Sequence, residues 1–185
     1  MRRGIKPSEP PHGASVITRS LKDGERLPYR GRLLRILTLR PDGGPLDGIS
    51  PKVEASDALA AIILRIPPSE DRRKRLVYWY TAETEGIVGR LAPAWSKKIG
   101  VRPRQASVKY ALSQWGSCSS SRALSFNSRL AMLSDTVAEY VIVHELCHLK
   151  HMNHSRAFWD EVESVLPGSR GLRRRLRVEE RTAWI

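Results

Sequence analysis

The stretch His144-Glu145-Leu146-Cys147-His148, with His151 and His154 just beyond it, holds four of the five histidines in a chain of 185 residues. Histidines at 144 and 148 are four apart, so on a helix both rings project from one face within reach of a single ion. Glu145 then lies about 100° round the axis, at 3.6 residues per turn. A carboxylate there stands beside the ion, where it can accept the proton of an activated water. Two imidazoles do not complete such a site, because catalytic zinc usually takes three protein ligands. His151 continues the same stripe. If it stayed helical, its backbone would stand about 10 Å along the axis from that of His144, a poor start for a tetrahedron. His154 follows Asn153, a residue suited to the left-handed conformation that ends helices. The chain can turn there and bring His154 in from a second direction. The expected ligands are therefore His144, His148 and His154, with His151 in a supporting or surface role. Glu161 and Glu163 are the alternative third donors, and exposed helical acids are their commoner use.

The elements that position these residues follow from period and punctuation. Residues 32–40 carry a β-rich apolar run, closed by the turn Pro41-Asp42-Gly43-Gly44. Residues 57–68 suit either a short helix or a buried strand. From 71 to 92, Leu76, Tyr80, Ile87 and Leu91 recur at helical spacing, and Pro93 is expected to kink or end the helix. Gly100 then marks a stop. Two alternating runs follow. Ala106, Val108, Tyr110 and Leu112 share one face of the first; Leu124, Phe126, Leu130 and Met132 share the inner face of the second. This reading puts Asn127 and Arg129 on an outer face, where they are candidates to touch substrate. The turn-rich link 113–122 predicts a long-looped hairpin, with Gly116 serving its turn and Trp115 as a wall of the site or a core residue. Ser134 is the expected N-cap of a helix running to about Met152, and Ser155 that of the next. Its Phe158 and Trp159 are expected to fix it against the helix bearing the histidines.

Composition narrows the classes further. Lys plus Arg is 32 against 19 Asp plus Glu, a formal net charge of +13. This favours polyanionic partners, nucleic acid among them, without specifying a fold. No zinc-finger spacing or RNA-binding motif accompanies it. Two cysteines, 118 and 147, without a CxxC pair fit a reduced, cytoplasmic setting better than a disulfide framework. No apolar run approaches the roughly 18 residues of a membrane span. The expected organisation is one compact domain in four stretches: a loose basic arm at 1–28, a β-rich segment at 29–68, a metallohydrolase domain at 69–168 and a basic tail at 169–185.

"WGSCSS", "LSFNSRL" and "VIVHELCHLKHMNHSRAFW" together resemble the YgjP-like metallopeptidase domain family, a zincin-type group related to SprT-like proteases. The resemblance is specific from about Arg73 to Leu166 and faint before Pro68. It implies an α+β, zincin-like fold: a small antiparallel sheet, an HExxH active-site helix and flanking helices. It also implies one zinc per chain on His144, His148 and His154, with Glu145 as catalytic base. Metzincins share the spacing from second to third histidine, but His151 stands here at their glycine position and no Met-turn is evident. Three activities stay open: a zinc-dependent peptidase on a peptide or protein substrate, a nucleoside triphosphate (UTP) pyrophosphatase on the same site, and a DNA-associated SprT-like protease. For a peptidase, the 124–132 strand is the expected sheet edge for substrate.

Overall fold

The computed structural model describes residues 21–39, 52–66 and 71–184. The turn at 41–44 and residues 1–20 lie outside the described residues. An N-terminal sheet comprises β1 (Arg26–Tyr29), β2 (Arg32–Thr38), β3 (Lys52–Ser56) and β4 (Ala61–Arg65), in the order β1-β2-β4-β3. The ambiguous segment at 57–68 is thus a strand. Its Ile62, Ile63 and Leu64 are buried in a strand flanked on both sides, a setting that suits the two β-branched isoleucines. The loose arm expected through residue 28 is corrected from residue 21 onward. Leu21 and Leu27 are buried, and β1 pairs antiparallel with β2.

Helix α1 (Arg72–Ile99) starts at Asp71, whose carboxylate accepts the Lys74 N–H, and stops at left-handed Gly100. It passes through Pro93 instead of ending there. Both Pro93 and Gly89, whose carbonyl the proline leaves unbonded, are exposed, so water can satisfy that carbonyl. The inner stripe of Leu76, Tyr80, Thr84, Ile87, Val88, Ala92 and Ile99 stays buried across the proline, and that burial holds the helix together.

The site-bearing sheet contains β5 (Gln105–Lys109), β6 (Gly116–Cys118) and β7 (Ala123–Asn127) in the order β5-β7-β6. The two alternating runs do not form a hairpin with each other: β5 pairs parallel with β7, and the hairpin is β6–β7. The linker at 113–122 therefore contributes a strand of its own, and the sheet is mixed. The second run also breaks at Asn127, where Ser128–Met132 forms a 3-10 helix. This corrects its outer face, since Asn127, Arg129 and Ala131 are all buried. A three-residue period closes those side chains onto α1 and the loops instead of alternating them. Thr84 of α1 ties down the turn by donating to the Ser128 carbonyl at 2.7 Å and accepting from the Ala131 N–H at 3.2 Å.

Helix α2 (Asp135–Cys147) is central, with Val137, Ala138 and every residue from Tyr140 to Cys147 buried. Ser134 occupies its N-cap position, yet the hydroxyl does not cap. It donates to Glu179 at 2.7 Å, and the same carboxylate accepts the Ser134 N–H at 2.7 Å. Helix α3 (Arg156–Val165) is capped by Ser155 as expected. The basic tail is helix α4 (Ser169–Glu179), packed on α2 and bringing Leu176 and Ala183 into the core. One continuous apolar core joins both sheets and all four helices.

Arg129 is fully buried, and its guanidinium lies over the rings of Trp115 and Trp184, 4.9 and 4.1 Å from their centroids. It donates to the carbonyls of Ala111, Leu112 and Ala183 at 3.0–3.1 Å. Burial lowers its pKa to about 10, which leaves it charged at neutral pH. Replacing it with Met keeps the volume but strands the buried Ala183 carbonyl and takes a donor from the part-buried carbonyls of Ala111 and Leu112. Arg129→Met is expected to lower stability by about 1–3 kcal/mol in urea unfolding, the cost of one buried polar group left unsatisfied. A change under about 0.5 kcal/mol would deny it this role.

Candidate metal centre

The end of α2 sets the geometry. The helix stops at Cys147, with His148 as its C-cap, and does not run on to Met152. Lys150 N–H bonds the Cys147 carbonyl three residues back, which tightens the last turn. Asn153 does not adopt the left-handed conformation; the chain turns through bends at 152–153. The His148 Nδ1 hydrogen bond to the His151 carbonyl at 2.9 Å spans this turn. The carbonyl can only accept, so Nδ1 carries the proton and Nε2 keeps its lone pair. His151 thus supports the site through its backbone.

The turn returns His154 to the helix end. Its Nε2 is 2.9 Å from that of His144, which is 3.1 Å from that of His148. One donor atom from each of the three lies within 4.8 Å of the other two. Zinc–nitrogen bonds of about 2.0–2.1 Å would set tetrahedral ligand nitrogens about 3.3 Å apart. The donor set fits such an ion. Neutral imidazoles whose nitrogens converge this closely also gain from a cation between them. Burial, followed by the neighbouring histidines and Arg173, holds the His144 pKa well below the usual imidazole range. Burial likewise lowers His148, to about 4. Both are therefore neutral at pH 7, as metal ligands must be.

Aromatic rings pack the cluster. Phe158 stacks on His148 with centroids 4.4 Å apart, and Trp159 stacks on His154 at 5.4 Å. Phe158 and Trp159 thus hold the imidazoles themselves as well as α3. Neither alternative carboxylate joins the group. Glu161 pairs with Lys150 at 2.7 Å, and Glu163 accepts from Gly168 N–H and Ser169.

Glu145 is fully buried beside the histidines, and β6 lies against it. A Cβ at Gly116 would meet the Glu145 Cγ at 2.6 Å and Oε1 at 2.9 Å. The expected turn role for Gly116 is corrected: it is a strand residue whose missing side chain leaves room for that carboxylate. The spacing rules for turns carry no signal for this, because its backbone is not in the left-handed region. The expected substrate contacts also fall elsewhere. Asn127 Nδ2 donates to the carbonyls of Ala111 and Gln114, both at 2.6 Å, and Trp115 Nε1 donates to Glu180 at 3.2 Å. With Arg129, they shape the loop that delivers Gly116 to Glu145 and do not face solvent. Cys118 and Cys147 are buried free thiols. Burial raises both, Cys118 to about 11 with help from Glu145 and Cys147 to about 12.

A mixed sheet, a buried HExxH helix and a third histidine returned by a turn define a metallopeptidase-type architecture. A family model for the YgjP-like metallopeptidase domain matches residues 9–179, and the chain belongs to that family. The match takes in the N-terminal third, so the likeness is wider than the stretch from Arg73 to Leu166. Among solved structures, the crystal structure of the metallopeptidase zymogen of Pyrococcus abyssi abylysin aligns with a TM-score of 0.46 at 22% identity. That alignment covers 53% of this chain and 99% of that one. No curated protein matches the chain. Membership makes the chain a hydrolase of metallopeptidase type and implies a metal ion, for which the three histidines are the fitting donors.

Two outcomes follow. Gly116→Ala forces Glu145 to move and is expected to cost about 1–3 kcal/mol of stability, as overpacking does. Equilibrium unfolding checks this, and an unchanged midpoint would show that Glu145 has room to spare. The second concerns acid. The folded pKa of His148, about 4, lies below the unfolded value of 6.5. In the unfolded chain His148 takes up a proton that it refuses when folded, so its contribution is whole above about pH 6.5 and lost as pH falls towards 4. Metal-free protein should lose roughly 3 kcal/mol over that window, at about 1.4 kcal/mol per unit, with His144 adding in the same direction. Stability that stays flat from pH 7 to pH 4 would contradict this.

Proposed function

We propose that the protein is a zinc-dependent metallopeptidase in which His144, His148 and His154 hold one Zn²⁺ and Glu145 is the general base. The observation that carries this reading is the convergence of three imidazole Nε2 atoms from two segments beside a buried carboxylate. A zinc ion, when bound, lowers the pKa of a coordinated water and polarises a carbonyl. The protein's own groups supply the rest. Glu145 takes a proton from the attacking water and returns it to the departing amine nitrogen. The His151 carbonyl keeps His148 in the tautomer that offers Nε2. An extended peptide runs along the outer edge of β6, which leads past Gly116 to Glu145. The 124–132 segment cannot serve as that edge, because β7 has a strand on each side. A reducing, cytoplasmic compartment suits the two free buried cysteines. Among the described residues no helix is long and apolar enough to cross a membrane.

The test pairs metal analysis with a substrate panel. Purified protein should carry about one zinc per chain. It should cleave peptides and lose that activity to a chelator. Glu145→Gln should reduce turnover by about 10²–10⁴-fold while leaving zinc content unchanged. Full activity in that variant would remove Glu145 from its role. Chelator-sensitive hydrolysis of UTP without any peptide cleavage would replace the peptidase reading with a pyrophosphatase.

A further inference from the structure

The formal charge of +13 is not spread evenly, and one concentration of it borders the histidine cluster. Arg170, Arg173, Arg174 and Arg177 stand on α4 at helical spacings of three and four and so form one stripe. All four are exposed. Among the described residues Arg173, Arg174 and Arg177 make no ion pair, although α4 does form the Arg175–Glu179 pair at 2.7 Å nearby. With Arg156 and Trp159 of α3, the stripe lines a cleft of about 650 Å³. One acid, Asp160, also lines it, and that carboxylate lies 3.7 Å from Arg156. The cleft is not remote from the chemistry. Trp159 forms part of its wall and stacks on His154, and the Arg173 guanidinium sits 4.4 Å over the same indole. Unpaired guanidiniums held in a row on one helix face present forks that match carboxylates.

We infer that this α3–α4 cleft is a substrate subsite for an acidic peptide segment, whose carboxylates pair with Arg173, Arg174 and Arg177 while the adjoining chain reaches the histidine cluster past Trp159. The inference rests on the peptidase reading for the scissile bond but not for the binding itself. A peptide is favoured over a nucleic acid by two features of the cleft. Its only aromatic ring among the described residues is already engaged by His154 and Arg173 and is not offered to a base, whereas single-strand binders rely on stacking platforms. Its volume is that of a pocket for a few side chains, within the usual 300–1,000 Å³ or so, and not that of a duplex groove.

Binding can be read without turnover in zinc-loaded Glu145→Gln full-length protein. The probes are fluorescein-labelled dodecapeptides, one alternating Glu with Ala and one alternating Gln with Ala, and a labelled twelve-nucleotide thymidine strand. Fluorescence anisotropy should show the Glu peptide binding at least about tenfold tighter than the Gln peptide, with affinity falling as salt rises. Arg174→Glu combined with Arg177→Glu should remove that preference by about tenfold or more, and Arg174→Gln with Arg177→Gln should reduce it. Both positions are exposed, and circular dichroism confirms that each variant is folded. Equal affinity for the two peptides, or a preference untouched by both pairs of substitutions in folded protein, would overturn the inference. So would a thymidine strand that binds tenfold tighter than the Glu peptide and is released by the same substitutions, since the stripe would then be a nucleic-acid surface. If the Glu peptide binds as expected yet zinc-loaded wild type cleaves none of the peptides, the cleft stands and the peptidase reading fails.

Discussion

Three imidazole nitrogens cannot gather within 4.8 Å of one another unless the helix that carries two of them stops in time for the third to return. That stop is the constraint on which the rest of the site depends. α2 ends at Cys147, and the chain comes back within the seven residues from His148 to His154. A helix continued to Met152 would carry the following chain away along its axis at about 1.5 Å per residue. The His148 Nδ1 bond to the His151 carbonyl therefore does two things at once. It closes the turn, and it leaves Nε2, which faces His144, unprotonated. Backbone geometry and ligand tautomer are set by the same hydrogen bond.

The carboxylate beside the histidines is placed by a different route. Glu145 is on a buried helix and needs room on its outer side, which β6 supplies by having glycine at 116. That strand is only three residues long and cannot fix its own position. Asn127 at the end of β7 and Arg129 in the 3-10 segment fix it by gathering the carbonyls of Ala111, Leu112 and Gln114. The same segment is bound to α1 through Thr84 and to the β1–β2 turn, where the Arg30 and Gly31 N–H groups bond the carbonyls of Ala131 and Met132. Gly31 has a positive φ and sits so close to Ser134 that a Cβ would be 2.7 Å from the serine's own. The N-terminal sheet thus braces the start of α2 and the 3-10 segment together. This gives the N-terminal third a structural reason to fall within the family match.

What the sequence made legible follows from how local each determinant is. The helical placing of His144, Glu145 and His148, the Ser155 cap and the Gly100 stop are set within a few residues and could be read directly. Local signals mislead where a distant partner overrides them. Apolar alternation from 124 to 132 looked like one strand, because Leu124, Phe126, Leu130 and Met132 are buried in either conformation. Only the polar members distinguish them, and Asn127 and Arg129 are buried because carbonyls from residues 111–114 await them. Pro93 is a local signal to kink or end a helix, whereas the burial that carries α1 through it comes from tertiary packing. Gly116 gave no signal, since nothing in a linear sequence says that a glutamate 29 residues later will need its space.

α4 shows how one helix can combine structural and surface roles without compromise. Its inner side carries Leu172, Leu176 and Glu179 with Glu180 just beyond. Glu179 takes the N-terminal N–H and hydroxyl of Ser134, and Glu180 takes the Trp115 indole N–H. These bonds fix both the rotation of α4 about its axis and its height against α2. With the inner side fixed, the period of 3.6 residues leaves no freedom in where Arg170, Arg173, Arg174 and Arg177 point. A basic tail without such anchors would place its charges anywhere within reach of the chain. Here the two glutamates that steady the start of the histidine-bearing helix and the loop before β6 also hold the arginine stripe beside Trp159. The positions of the carboxylate, the histidines and the cationic wall are therefore linked through one packed core.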